Sequence, residues 1–215
     1  RMENNKEKKS SIIKDALALF IVTLASALAL SFVYEITKEP IYRQEMAKKL
    51  AGYKVVYPEA ISLIEDEELM QLAAETDLAT LDASFKDVTI DEVNKAYDSN
   101  DNLIGYIIKV TSKGYAAPIS LAVGYSVDGV VKGIETLSIN ETAGLGMNAA
   151  EPSFKNQFAN KQVNKFETTK SGATEDNQIN VISSATVTTD AVVNGVNAGI
   201  GFIQEYASDL GGGAK

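Results

Sequence analysis

The longest apolar stretch of the chain lies near its N-terminus, from Ala16 to Tyr34, and contains no charged residue and no proline. At the α-helical rise its length matches the hydrocarbon thickness of a bilayer, roughly 30 Å. Four lysines, Lys6, Lys8, Lys9 and Lys14, precede it, whereas Glu35, Lys38 and Glu39 follow it. This bias predicts one transmembrane helix over residues 15–36, with residues 1–14 in the cytoplasm and the main domain, residues 37–207, outside.

A cleaved signal peptide is the alternative interpretation of this stretch, because Ala27-Leu28-Ala29 resembles a cleavage site. However, the apolar residues continue beyond that tripeptide and are numerous for a signal peptide. These two features favour a retained anchor.

The periodicity changes along the outer domain. Residues 41–50 are charged and amphipathic and predict a helical continuation. Residues 60–74 carry apolar side chains at helical spacing, which predicts a second helix. The acidic residues 65–68 are expected on its solvated face near the N-terminus rather than in a metal site.

Strand patterns begin at Val88. Residues 93–97 and 103–111 flank an Asn/Asp-rich turn, and residues 119–126 and 130–138 flank Asp128-Gly129. These patterns predict two hairpins in an antiparallel sheet. Together with the helices, they indicate an α+β fold.

The C-terminal third begins with glycine-rich and polar segments. Residues 151–158 predict the start of a short helix, residues 170–180 a surface loop, and residues 181–182 a brief strand. Residues 187–206 predict a helix with poor intrinsic propensity, which packing or a ligand at its N-terminus must stabilise. Residues 208–215 are expected to form a flexible tail.

The composition narrows the chemistry. The chain has no cysteine and no histidine, which excludes thiolate and imidazole ligation of iron–sulfur clusters, haem or zinc. It also excludes nucleophilic machinery that depends on histidine. The net charge of −9 argues against nucleic acid as a partner. A redox function would therefore need an organic cofactor.

Hydroxyl groups crowd the start of the last helix, with Thr186 at the centre. The segment reads Ser183, Ser184, Ala185, Thr186, Val187, Thr188 and Thr189. A helix N-terminus offers unpaired N–H groups and a positive dipole end, so a phosphate could bind there. Simple N-capping of the helix by Thr188 or Thr189 is the alternative.

This segment resembles the flavinylation motif of the RnfG/NqrC family, Asp-x-x-Ser/Thr-Gly-Ala-Thr, whose last threonine carries FMN through a phosphoester bond. That threonine corresponds to Thr186. The chain departs from the motif at Asn180, in place of aspartate, and at Ser184, in place of glycine. The exact core of the motif also occurs at Ser171-Gly172-Ala173-Thr174, but acidic residues follow it and no apolar helix begins there. Thr186 is therefore favoured over Thr174.

A second hallmark of the family, Glu-Thr-Pro-Gly-Leu-Gly followed by Glu-Pro-x-Phe, is similar to residues 141–146 and 151–154, with Ala143 in place of proline. The resemblance implies that this loop lies near the flavin. It adds the following residues to the cofactor site: Glu141, Thr142, Gly144, Leu145 and Gly146. Met147, Tyr106, Tyr115, Tyr125 and Phe154 are either further neighbours of the flavin ring or simply core residues.

The resemblance covers nearly the whole chain and is closer to RnfG than to NqrC. It implies an electron-transfer subunit of an ion-translocating ferredoxin:NAD oxidoreductase complex in the bacterial plasma membrane. Such a subunit contributes to a translocase without a complete active site of its own. The implied partners are other membrane subunits, one of them also flavin-bearing, and a flavin transferase. The alternatives are a membrane-anchored binding module, and a standalone flavoprotein that pumps no ion.

Overall fold

The computed structural model describes residues 3–207, with side chains from residue 14 onward. The chain divides into two compact units, Arg1–Ala47 and Lys48–Lys215. The tail expected at residues 208–215 lies outside the described residues, as does part of the N-terminal segment expected at residues 1–14.

Helix α1, Glu3–Val56, contains the apolar stretch. Within the described residues it is the one helix that is long and apolar enough to cross a membrane. Hydroxyl groups in this stretch bond back to the helix: Thr23 Oγ1 donates to the Leu19 carbonyl at 3.0 Å, and Ser26 Oγ donates to the Val22 carbonyl at 2.9 Å. Such bonds satisfy polar groups that a bilayer cannot. The helical continuation predicted for residues 41–50 is confirmed.

The second unit is built on an antiparallel sheet in which sequential strands are neighbours, in the order β1-β2-β3-β4-β5. The strands are β1 Ser62–Glu65, β2 Val88–Tyr97, β3 Leu103–Lys113, β4 Pro118–Ser126 and β5 Val131–Ser138. Both predicted hairpins are confirmed. Gly129 adopts φ 78° in the second one, as a turn glycine can.

Helices and short segments follow or interrupt the sheet. They are α2 Glu67–Glu75, α3 Pro152–Lys155, α4 Thr186–Tyr206, and 3₁₀ turns at Leu78–Thr80, Ala83–Phe85, Gly146–Ala150 and Asn156–Phe158. A small parallel pair is formed by β6 Glu167–Thr169 and β7 Gln178–Asn180. The predicted helices at residues 151–158 and 187–206 are therefore present, and the α+β class is confirmed.

Helix α4 covers one face of the sheet and supplies much of the main core, including Val192, Val196, Ile200 and Ile203. Gly195 and Gly199 lie close to β3: a Cβ at either position would lie 3.4 Å from the Val110 side chain. Packing thus compensates for the low helix propensity of this segment. The opposite face is covered by the end of α1 and the residue after it, where Tyr53, Val56 and Tyr57 are buried against the sheet in a smaller core cluster.

Two predictions about secondary structure are wrong. The helix predicted over residues 60–74 begins only at Glu67, because residues 62–65 pair with β2 and the Asp66 side chain caps α2 by accepting the Leu69 N–H at 3.0 Å. The strand predicted at residues 181–182 lies instead at Gln178–Asn180. Ile182 belongs to a tight turn, since its carbonyl accepts the N–H of Ala185 at 3.0 Å.

Candidate functional site

The segment before α4 turns sharply at Ser184, which adopts φ 60° in the left-handed region. Ala185 is the N-cap residue and Thr186 is the first residue of the helix. Left-handed backbone favours glycine, the residue that the family motif has at this position. Ser184 therefore adopts a backbone conformation that glycine takes without strain and that strains a residue with a side chain.

The N-capping interpretation of the threonines is wrong. Ala185 has no polar side-chain atom, and no side-chain cap is present at this helix start within the described chain. Thr189 is fully buried; its Oγ1 donates to the Ala185 carbonyl at 2.9 Å and accepts the N–H of Ile182 at 3.1 Å. Thr188 donates to Glu141 Oε2 at 3.0 Å. The first-turn N–H groups of α4 are thus left for another acceptor.

Glu141 links three parts of the site. Its Oε1 accepts the N–H groups of Ala116 and Ala117 at 3.0 and 3.4 Å, and its Oε2 accepts the Thr188 hydroxyl. The residue is buried, with 8% of its surface exposed. Gly146 leaves room for it, because a Cβ there would lie 2.8 Å from both Glu141 Oε2 and Thr188 Oγ1. The carboxylate therefore connects the β3–β4 turn, the loop at residues 140–147 and α4.

An open cleft of about 530 Å³ lies between these parts. Its lining consists of Tyr115, Glu141, Thr142, Leu145, Gly146, Ser184, Ala185, Thr186, Val187 and Thr188. The structure thus brings together both segments singled out in the sequence. Three of the predicted site residues do not line the cleft: Ser183 and Gly144 are exposed beside it, and Thr189 is buried behind it.

The walls of the cleft differ in exposure and carry little charge. Tyr115, Val187 and Leu145 expose 73%, 54% and 38% of their surfaces, whereas Thr186 is half-buried. Glu141 is the charged residue in the lining, and no cation lines it within the described chain. Positive potential here comes from the start of α4.

Tyr115 is the aromatic side chain in the lining, whereas Tyr106, Tyr125 and Phe154 belong to the core and Met147 does not line the cleft. Sequence reasoning named Tyr115 only as one of several aromatics. The small residues around it, Gly114 and Ala116-Ala117, could have identified it as the tip of a tight turn.

The second copy of the motif core lies in the exposed loop between β6 and β7. Gly172 there has a positive φ of 93°, and Ser184 also has a positive φ. Thr174, however, hydrogen-bonds to Gln178 Oε1 through its N–H at 2.9 Å and its hydroxyl at 3.3 Å. Acidic residues follow it, and no helix of the described chain begins there. This loop lacks the helix start that a phosphate would favour.

The described residues contain no group of acidic, histidine or cysteine side chains that could hold a metal ion. The acidic residues at 65–68 instead flank the start of α2, where Asp66 is the cap.

Two family models match the chain: an RnfG N-terminal region over residues 2–56 and an FMN-binding domain over residues 114–201. The second range includes the whole cleft. Residues 57–113, which include β1, β2 and β3, lie between the two matches.

Proteins similar to this chain include a subunit of the Na⁺-translocating ferredoxin:NAD⁺ oxidoreductase complex of Acetobacterium woodii, 28% identical over 91% of this chain and 93% of the relative. The corresponding subunit of the proton-translocating complex of Clostridium ljungdahlii is 35% identical over 49% of this chain and 56% of the relative. The crystal structure of NqrC from Shewanella oneidensis aligns with a TM-score of 0.49 at 17% identity, over 72% of this chain and 73% of that one.

Proposed function

Because this chain belongs to the RnfG family, we propose that it is the electron-transfer subunit of a membrane-bound, ion-translocating ferredoxin:NAD oxidoreductase complex, with FMN attached to Thr186. One observation carries the assignment of the site. The two segments that resemble the family hallmarks lie far apart in sequence but form the two walls of one cleft, with Thr186 in its lining.

The residues of the cleft fit a flavin phosphate. Uncapped N–H groups at the start of the 21-residue helix α4 offer donors, and the helix dipole favours an anion there. Ser184 and Thr186, which both carry hydroxyl groups, belong to the same lining. Tyr115 and Leu145 offer exposed apolar surface for a flat ring.

The charge of the cleft favours a covalent link over reversible binding. A phosphate monoester carries a charge of about −1.5 to −2 at neutral pH, and the described lining holds no lysine or arginine to balance it. A phosphodiester between Thr186 and FMN carries only about one negative charge. An ester bond also retains a cofactor that so open a cleft would otherwise release.

Attachment forms one bond and breaks one. Thr186 Oγ1 bonds to the flavin phosphorus of a flavin phosphoanhydride, and its proton passes to a base of the transferase. The anhydride P–O bond breaks, and the mononucleotide leaving group departs. No electron is transferred in this step. The described cleft offers no histidine and no set of side chains that could hold a metal ion beside the hydroxyl, and we propose that a separate flavin transferase activates it.

When bound, FMN supplies one- or two-electron transfer, and the protein contributes attachment and surroundings. Thr186 would fix the phosphate, and Tyr115, Leu145 and Val187 would flank the ring without enclosing it. Such exposure suits electron exchange with neighbouring subunits. These neighbours would include a second flavin-bearing membrane subunit.

The N-terminal helix anchors the chain in the membrane. We propose a single span with the N-terminus in the cytoplasm and residues 37–207 on the outer side of a bacterial plasma membrane. The lysines before the apolar stretch support this orientation.

The test is the intact mass of the denatured full-length chain, purified from a host with an active flavin transferase, followed by fragmentation of the peptide around residue 186. We expect one FMN-phosphoryl group on wild type, on Thr174→Ala and on Thr186→Ser, which keeps a hydroxyl. We expect none on Thr186→Ala. Flavin that persists on Thr186→Ala would refute the site.

The same preparation separates the alternatives. An unmodified wild-type chain would favour a membrane-anchored binding module. Covalent flavin without co-purifying membrane subunits would favour a standalone flavoprotein.

A further inference from the structure

We propose that Glu141 is a positioning residue: it holds the Tyr115 turn and the first turn of α4 at a set distance, and it places one fixed negative charge in the wall of the cleft. The contribution of the charge rests on the proposed FMN function, whereas the positioning does not. Three hydrogen bonds, two glycines and a described lining without a cation support both roles.

The hydrogen bonds use both carboxylate oxygens. Oε1 holds the N–H groups of Ala116 and Ala117, which follow Tyr115 directly, and Oε2 holds Thr188 in the first turn of α4. Because one side chain joins loop, turn and helix, its length sets their spacing. A hydrogen bond from a backbone N–H to a buried carboxylate is stronger than one between neutral groups.

Two glycines maintain the space that the carboxylate occupies. A Cβ at Gly114 would collide with Oε1, and a Cβ at Gly146 would lie 2.8 Å from Oε2. Because both glycines border the two oxygens that make the hydrogen bonds, the pocket around Glu141 is shaped for a carboxylate of this length. Aspartate would be too short to reach both sides.

Among the described residues, the hydrogen-bond donors to the Glu141 carboxylate are all neutral groups. No ion pair of Glu141 is present among the described residues, and the residue is 8% exposed yet lines the cleft. A buried charge interacts strongly with its neighbours, because little water screens it. A negative charge in the wall opposes the addition of electrons to a flavin in the cleft and so lowers its reduction potential.

The positioning is tested first without flavin. Amide hydrogen exchange is compared in the full-length Thr186→Ala chain, with and without Glu141→Asp. We expect the amides of Ala116 and Ala117 to exchange about tenfold faster with aspartate, because their acceptor no longer reaches them. Glu141→Gln, whose carbonyl oxygen keeps the reach while Thr188 turns to accept, should speed their exchange clearly less than aspartate does, because a neutral acceptor still bonds both amides. Equal exchange in all three chains would overturn the proposal.

The charge is tested on the flavin-loaded chain by potentiometric titration. We expect Glu141→Gln to raise the reduction potential of the flavin, whereas Glu68→Gln, on the exposed surface of α2, should leave it unchanged. Equal potentials in the Glu141→Gln and wild-type chains would overturn the role of the charge.

Failure of the proposed flavin function and failure of the Glu141 proposal give different results. If the wild-type chain carried no flavin, the proposed function would fail while the exchange experiment still tested Glu141. If Glu141→Asp did not fold, loss of its melting transition while Glu141→Gln stayed folded would itself support the requirement for reach.

Discussion

Asn197, in the middle of α4, holds both backbone groups of Phe166. Its Oδ1 accepts the Phe166 N–H at 2.8 Å and its Nδ2 donates to the Phe166 carbonyl at 2.9 Å. Both residues are buried. The side-chain amide thus does for the segment before β6 what a neighbouring strand would do, and it fastens that segment to the helix that begins at the cleft.

Asn197→Ala should lower the free energy of unfolding by about 2–4 kcal/mol, because it leaves a buried N–H and a buried carbonyl without partners. The measurement is chemical or thermal unfolding of the full-length chain in detergent. Asn194→Ala, one turn earlier and only partly buried, is the matched control and should cost less than about 1 kcal/mol. Equal losses from the two variants would contradict the role given to Asn197.

Ser184 gives a prediction about backbone strain. At φ 60° a β-branched side chain is more strained than serine, whereas glycine has no such cost. Ser184→Val should therefore lower stability by about 1–3 kcal/mol relative to Ser184→Gly. Unfolding curves of the two variants provide the comparison. A glycine variant that was less stable than the valine variant would show that the left-handed conformation is not maintained.

The same pair of variants bears on flavin attachment. Ser184→Gly restores the residue of the family motif and should carry at least as much flavin as wild type.

Asn180 occupies the position of the leading motif aspartate, and its Oδ1 accepts the N–H of Ala173 at 2.8 Å. A carboxylate oxygen can accept the same hydrogen bond, so Asn180→Asp should keep the loop at residues 170–177 ordered. Asn180→Leu should instead speed exchange of the Ala173 amide by about fivefold or more. The exchange rate of the Ala173 amide reports on the order of this loop, and the intact mass reports any change in flavin attachment. Unchanged exchange in the leucine variant would contradict the contact.

Much of the fold follows from local patterns. Asp128-Gly129 and the alternation on either side of it predict the second hairpin, because the turn and the strands agree. Helix α4 is predictable from the spacing of Val192, Val196 and Ile200 despite its glycines. The expectation that the two motif segments share one cleft rests on the resemblance alone. No local pattern in the sequence places residues 141–146 near residue 186.

The remaining features depend on contacts that are distant in sequence. Ile61 and Ile64 have helical spacing with later residues, yet β1 forms because the edge of β2 is available to pair with it. The role of Tyr115 depends on the hydrogen bonds that Glu141 accepts from the turn after it. Neither partner can be identified from periodicity, which reports only local structure.

The last prediction concerns pH and rests on Glu92, where the end of α1 meets the sheet. Burial opposes ionisation of this side chain, but hydrogen bonds from Lys49 at 3.0 Å and Tyr53 at 2.9 Å outweigh it, and the pKa of Glu92 is lowered. A lowered pKa in the folded state means that the unfolded chain binds the proton more tightly. The stability from Glu92 is therefore present above the unfolded pKa of about 4.3 and is lost as the pH falls through the lower, folded value.

Glu92→Gln should remove this dependence. The free energy of unfolding of wild type, measured by urea titration from pH 7 to pH 3, should fall more steeply below about pH 4.3 than that of the variant. Glu75→Gln, at the exposed end of α2, is the control and should follow wild type. Parallel curves for wild type and Glu92→Gln would mean that this carboxylate gains nothing from Lys49 and Tyr53 on folding.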